Sequence, residues 1–189
     1  MKVLTAAQMR DFDAQAIAAG FPGAVLMENA GCRVVEFLAQ AFAPLDRHAI
    51  LVFCGKGNNG GDGLVIARQI WTRFPPRSLA VILTCPPADL HGDAALNFRL
   101  AEACGVPIFR EVSPRMRAEA TLLIDALLGT GLHGPATGPM LDWIRDINSA
   151  YPHAAKVSVD VPSGLHEQGV SVEAGHTVTF VAPKLELVM

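Results

Sequence analysis

Apolar and polar positions along this chain fall into blocks of two lengths. The short blocks are nearly continuous runs of Val, Ile, Leu, Ala and Cys: AILVFC, LAVILT, TLLID and AKVSVD. Runs of that length predict strands buried on both faces, as in a parallel sheet. They place strands at 48–54, 79–84, 107–109, 121–125 and 155–160, with a last strand-like run at 176–181. The longer blocks between them read as helices at 61–74, 92–104 and 139–148. Two more helices precede the first strand. Thr5 caps the first, with Gln8 as its capping-box partner, and the helix stops at Gly20. A turn at Phe21-Pro22-Gly23 leads into the second, over 24–42. Strands alternating with helices predict a doubly wound α/β fold, a three-layer α/β/α sandwich with a mostly parallel central sheet. Residues 1–189 read as a single domain, with no internal repeat.

In such sheets, ligands bind beyond the carboxyl ends of the strands. The first strand runs into GKGNNGGDG, in which Gly55, Gly57 and Gly60 match the G-x-G-x-x-G dinucleotide fingerprint. A helix starting behind such a turn offers unpaired N–H groups and a positive dipole end, a seat for phosphate. The nicotinamide version also expects an acidic residue at the end of the next strand. Thr84, Cys85, Pro86 and Pro87 stand there instead. That disfavours an ordinary dehydrogenase, and the Pro-Pro end reads as a plain turn. Two other strand ends carry aspartates and glycines: Asp125 before ALLGTGLHGP, and Asp160 before VPSG.

Each of these residues also has a purely structural reading. An isolated Asp often caps a helix or closes a turn, and Asn tolerates left-handed backbone. Convergence of three loops on one rim favours a shared site. The oxygen set Asn59, Asp125 and Ser163 suits a hard cation, and a single carboxylate points to a monovalent ion such as potassium. Lys56 and His133 are candidate polar neighbours or ordinary exposed loop residues.

Composition narrows the classes. Of 189 residues, 51% are hydrophobic and 17% charged, which excludes a disordered chain. A net charge of −3 leaves no electrostatic footprint for nucleic acid. No apolar run has the length of a membrane-spanning helix, and the charged N-terminus does not read as a signal peptide. A cytoplasmic protein is expected. The four cysteines form no C-x-x-C pair and read as buried free thiols. The last residues, FVAPKLELVM, end without a stop signal, so a chain that continues into more structure is expected.

The motifs VLMENAG (25–31), GKGNNGGDGLVIAR (55–68), GDAALN (92–97), DALLGTGLHGP (125–135), SVDVPSGL (158–165) and TVTFVAPKL (177–185) resemble, in order, those of the YjeF N-terminal domain family. The resemblance implies a Rossmann-like α/β/α sandwich, often dimeric. It implies NAD(P)HX epimerase activity. NAD(P)HX is NADH or NADPH hydrated on the nicotinamide ring, and the epimerase interconverts its R and S forms. An S-specific ATP- or ADP-dependent dehydratase then restores the cofactor, in many bacteria as a C-terminal domain of the same polypeptide. Carried over by position, the resemblance implies substrate contacts at Asn58, Asn59, Gly60, Gly61, Asp62, Gly129, Thr130, Gly131, Leu132, His133, Gly134, Pro135 and Asp160. It implies potassium ligands at Asn59, Asp125 and Ser163, the set already reached from oxygen chemistry.

The chemistry needs an acid/base group beside the hydroxyl, and Asp160 is the candidate. Asp62 and the glycine turn are expected near the diphosphate. Three rival readings stand beside it: a non-catalytic nucleotide-binding or scaffold module of the same fold, a nicotinamide oxidoreductase, and one inactive half of a bifunctional repair enzyme.

Overall fold

The first strand, β1 (Ala49–Cys54), is buried at every position, which requires cover on both faces of the sheet. The computed structural model describes residues 4–132, 134–180, 182 and 184. Among them, five further strands follow: β2 (Ser78–Leu83), β3 (Ile108–Phe109), β4 (Leu122–Ala126), β5 (Ala155–Val159) and β6 (His176–Val178). They form one sheet in the order β3-β2-β1-β4-β5-β6, every pairing parallel. The order reverses between β1 and β4, the place where such sheets open a crevice for a ligand.

Successive side chains on a strand point to opposite faces, and this sorts the core into two layers. Ile50, Val52 and Cys54 pack with Leu122, Ile124 and Ala126 against three helices. These are α2 (Gly23–Ala41), α3 (Asn58–Arg73) and α4 (Gly92–Ala103), which contribute Val34, Leu38, Ile66, Ile70, Ala94 and Ala101. Leu51, Phe53 and Leu123 face the other way, onto Met116 of α5 (Pro114–Glu119) and Ile144 and Ile147 of α6 (Gly138–Ser149). Burying each of the larger side chains contributes roughly 1.5–3 kcal/mol relative to leaving it exposed. The three-layer α/β/α sandwich is therefore the fold, with an all-parallel rather than mostly parallel sheet among the described residues.

α1 (Ala6–Ala18) carries the expected capping box. The Gln8 N–H donates to Thr5 Oγ1, and the Gln8 side chain accepts from the Thr5 N–H. Several boundaries differ from the sequence expectation. α3 begins at Asn58 instead of 61, so both asparagines belong to the helix. α5 was not anticipated: it is one short piece capped by Ser113, with Pro114 in its first turn. β6 ends at Val178, short of the anticipated 181. Cys54 and Cys85 are buried, but Cys104 is exposed, because it lies just past the end of α4 instead of on its inner face. No helix among the described residues is long and apolar enough to cross a membrane.

Candidate active site

The glycine turn after β1 is built by close backbone approach. A Cβ on Gly55 would sit 1.9 Å from the Leu127 carbonyl oxygen, and one on Gly60 would sit 1.8 Å from the carbonyl oxygen of Gly55. Only glycine lets the β1 and β4 loops meet in this way. Gly57 caps α3 with no side-chain bond. The first-turn N–H groups of Asn58, Asn59 and Gly60 therefore lack intrahelical acceptors, and the positive end of the helix dipole lies there.

The β4 end is held by a buried carboxylate. Asp125 is 1% exposed and accepts four hydrogen bonds. Ser158 Oγ donates to Oδ2 at 2.7 Å and the Ser163 N–H donates to the same oxygen at 2.9 Å. Ser163 Oγ donates to Oδ1 at 2.5 Å and the Leu127 N–H to Oδ1 at 3.3 Å. The Leu128 N–H donates to Ser163 Oγ at 2.9 Å, so the β4 loop and the DVPSG loop are stitched together. Burial pushes the Asp125 carboxyl above its ordinary range, against these bonds, which favour its charge.

Asn59 is the third of the oxygen set. Its side chain is buried, and neither Oδ1 nor Nδ2 has a hydrogen-bond partner among the described residues. A Cβ on Gly129 would lie 3.3 Å from the Asn59 Cβ, so the amide faces the β4 loop that Asp125 and Ser163 hold. A buried amide without partners is costly and marks a place for a ligand or ion. Amide, carboxylate and hydroxyl oxygens fit a hard monovalent cation.

Asp160 follows β5 with φ at +67°, a left-handed backbone that is uncommon for a residue other than glycine. Its carboxylate is ion-paired with Lys184, which is 1% exposed. The Lys184 ammonium also donates to Thr179 Oγ1 at 2.7 Å and to the Phe180 carbonyl at 3.0 Å. All three N–H donors thus have acceptors, the condition for burying an ammonium at all. Non-glycine strain of this sort is kept where neighbours over-determine it.

These elements surround one cavity of about 1120 Å³. Asn58, Asn59 and Asp62 line one wall, and residues Leu127 to Leu132 another. Asp160, Thr179, Phe180 and Lys184 close a third side, while Met9, Asp13 and Ile17 of α1 reach over it. Thr84, Cys85 and Pro86 also line it, which corrects the reading of the β2 end as a plain turn. Thr84 Oγ1 donates to the Cys54 carbonyl at 3.1 Å and ties that end to β1.

Of the residues singled out in the sequence, Asn58, Asn59, Asp62, Gly129, Thr130, Gly131, Leu132 and Asp160 line the cavity, as does Lys56. Gly60 and Gly61 do not. Both are buried, and a Cβ on Gly61 would lie 2.6 Å from Met27 Sδ, so its smallness serves the contact of α3 with α2. Gly134 and Pro135 stand outside the lining, Asp125 and Ser163 lie behind it, and His133 falls outside the described residues. Sequence reasoning missed Lys184, Thr179 and Asp13. For Lys184 a signal existed, since a lone cation inside the apolar run FVAPKLELV demands a partner.

The charges in the cavity are unbalanced. Asp62 is pushed well above the ordinary carboxylate range, first by burial, then by the charges of Asp160 and Asp13, with Lys184 opposing. Asp13 is raised as well, by burial and by Asp160.

Fold and site define a Rossmann-like α/β domain with an acid-lined ligand cavity at its strand ends. The family described as YjeF-related protein N-terminus matches residues 23–186, and the chain belongs to that family. The bifunctional NAD(P)H-hydrate repair enzyme Nnr of Moorella thermoacetica is 41% identical, over 100% of this chain and 38% of the relative. The NAD(P)H-hydrate epimerase of Rhodopirellula baltica is 36% identical, over 96% of this chain and 75% of the relative. The chain thus spans well under half of the bifunctional relative and most of the epimerase. The crystal structure of yeast ynu0 superposes with a TM-score of 0.83 at 22% identity, covering 97% of this chain and 82% of that one, a likeness of fold.

Proposed function

We propose that this chain interconverts the R and S epimers of hydrated NADH and NADPH, as part of nicotinamide-cofactor repair. The observation that carries the reading is the Asp160–Lys184 ion pair in the wall of a cavity of about 1120 Å³ beside the α3 N-terminus. The chain's 36% identity to the NAD(P)H-hydrate epimerase of Rhodopirellula baltica supports it. An S-specific dehydratase, fused or separate, completes the repair; a homodimer in the cytoplasm belongs to the same reading.

The hydroxylated carbon of the substrate is bonded to the ring nitrogen. The nitrogen lone pair expels the hydroxyl once an acid protonates it, leaving a planar iminium. Water returning to the other face gives the other epimer. Asp160 takes part in the proton transfers as an acid/base group in the cavity wall. The N–H groups that open α3 take the diphosphate. Asn59, Asp125 and Ser163 would hold potassium, and the bound ion would supply a fixed positive charge between the β4 and DVPSG loops.

The function is tested with a mixture of both epimers and an S-specific dehydratase. The chain is expected to abolish the slow phase in which the R form waits to epimerise unaided. A slow phase of unchanged rate contradicts the proposal.

Potassium has a readout independent of activity. A ligand of the folded state stabilises by RT ln(1 + [L]/Kd), about 2.7 kcal/mol at a hundredfold excess over Kd. The melting temperature is expected to rise in potassium chloride over choline chloride at equal ionic strength, and to do so less in Asn59→Ala. Equal melting in both salts counts against the ion.

A further inference from the structure

Epimerisation through an iminium requires proton transfer on two faces of one ring. The hydroxyl leaves one face with an added proton, and the water returning to the other face must lose one. A carboxyl held rigidly on one side serves only that side.

The charged lining of the cavity comprises Asp13, Asp62 and Asp160, which interact with one another, Lys184, and, elsewhere in the wall, Arg33, Lys56, Asp89 and Asp93. Lys184 is committed: its three N–H donors go to Asp160 Oδ1, Thr179 Oγ1 and the Phe180 carbonyl. None remains for another carboxyl. Asp62, one turn into α3, is partly buried and accepts no hydrogen bond from any described residue, whereas Asp13 is exposed at the rim. Asp62 and Asp160 also arrive from different parts of the sheet. One follows β1 and the other follows β5, with β4 between those strands.

Resting on the epimerase reading, we infer that Asp62 is the second proton-transfer residue, donating to the departing hydroxyl while Asp160 accepts from the returning water. In the first step the carbon–oxygen bond breaks and the Asp62 proton leaves with the hydroxyl as water. The nitrogen lone pair forms the carbon–nitrogen double bond. In the second step water adds to the carbon, that π pair returns to nitrogen, and the surplus proton passes to Asp160. Exchange of the proton from Asp160 back to Asp62 through solvent resets the pair. The reverse reaction uses the same two groups with roles exchanged. The upward push on the Asp62 carboxyl from burial and from Asp160 and Asp13 keeps the proton there, while Lys184 works against it. The Cys54 thiol at the end of β1 feels the Asp62 charge but is itself pushed up, first by burial, so it adds no charge.

The test compares the full chain with Asp62→Asn and Asp62→Ser, using purified R-NADHX and chromatography. An active wild type, with kcat lower by about 10²-fold in the variants and KM within a few-fold, is the expected result. Wild-type kcat/KM should fall at a pH above the ordinary carboxylate range as Asp62 ionises, and Asp62→Asn should lack that fall. Stability gives a readout apart from activity. A carboxyl raised on folding stabilises fully below its unfolded value, and that stability is lost as pH rises through the folded one. The melting temperature of wild type should therefore drop relative to Asp62→Asn as pH rises from acidic to neutral. Retained kcat in either folded variant, or a raised KM alone, overturns the inference and leaves the epimerase reading standing. If neither variant folds, the wild-type pH profile decides: a flat profile from pH 5 to about 9 overturns it. An inactive wild type overturns both.

Discussion

An Asp160→Asn chain is expected to fold with a lowered melting temperature, because the buried Lys184 ammonium loses its counter-charge, and to lose epimerase turnover by about 10²–10⁴-fold, the usual worth of acid/base assistance. The substitution is close to isosteric. Asparagine tolerates the left-handed backbone found at this position, with φ at +67°. Its amide oxygen still accepts from Lys184, so the ammonium keeps an acceptor in place of its ion-pair partner. What the variant lacks is a group that takes and returns a proton. Rates of R-to-S conversion at saturating substrate, with a melting curve for each protein, separate the two effects. A folded Asp160→Asn chain that turns over within a few-fold of wild type contradicts the assigned role.

Asp125→Ala is expected to act on stability instead. It removes a carboxylate that is 1% exposed and accepts four hydrogen bonds. The Ser158 and Ser163 hydroxyls can reorient, and Ser163 Oγ already has the Leu128 carbonyl 3.1 Å away as an alternative acceptor. The Ser163 and Leu127 N–H groups cannot. Leaving buried donors without acceptors costs roughly 1–3 kcal/mol each. The expected loss is about 3 kcal/mol, or a fall of roughly 6–12 °C in melting temperature for a chain of this size. It should come with loss of the potassium response, since the two loops lose their common anchor. A melting temperature within 2 °C of wild type, on the same roughly 2–4 °C per kcal/mol scale, contradicts the anchoring role.

The sheet was legible because β1, β2 and β4 are almost continuous apolar runs, the pattern that burial on both faces imposes. α1 was legible in its capping box. α5 was not, because six residues carry too little periodicity; Ser113 followed by Pro114 was the signal available. The candidate site was legible wherever it consists of strand ends. Asn58, Gly129 and Asp160 line the cavity because each stands just past a strand, and Asp62 because it lies one turn into the helix that follows β1. The roles of Gly60 and Gly61 were not, since a small residue that lets backbones touch and one that faces a ligand look the same in sequence. The pairing of Asp160 with Lys184 was hidden for a different reason. The two are 24 residues apart, and the pairing of β6 with β5 sets their strand ends side by side. Asp13 reaches the cavity because α1 folds over the strand ends, which helical periodicity alone does not predict.

Epimerisation by this chain can be followed without a coupling enzyme. Purified R-NADHX is incubated with this chain and, in parallel, with Asp160→Asn, and both epimers are resolved by chromatography over time. The wild-type chain is expected to drive the R form rapidly to the equilibrium mixture while the variant tracks the uncatalysed control. A wild-type time course that coincides with the control contradicts it.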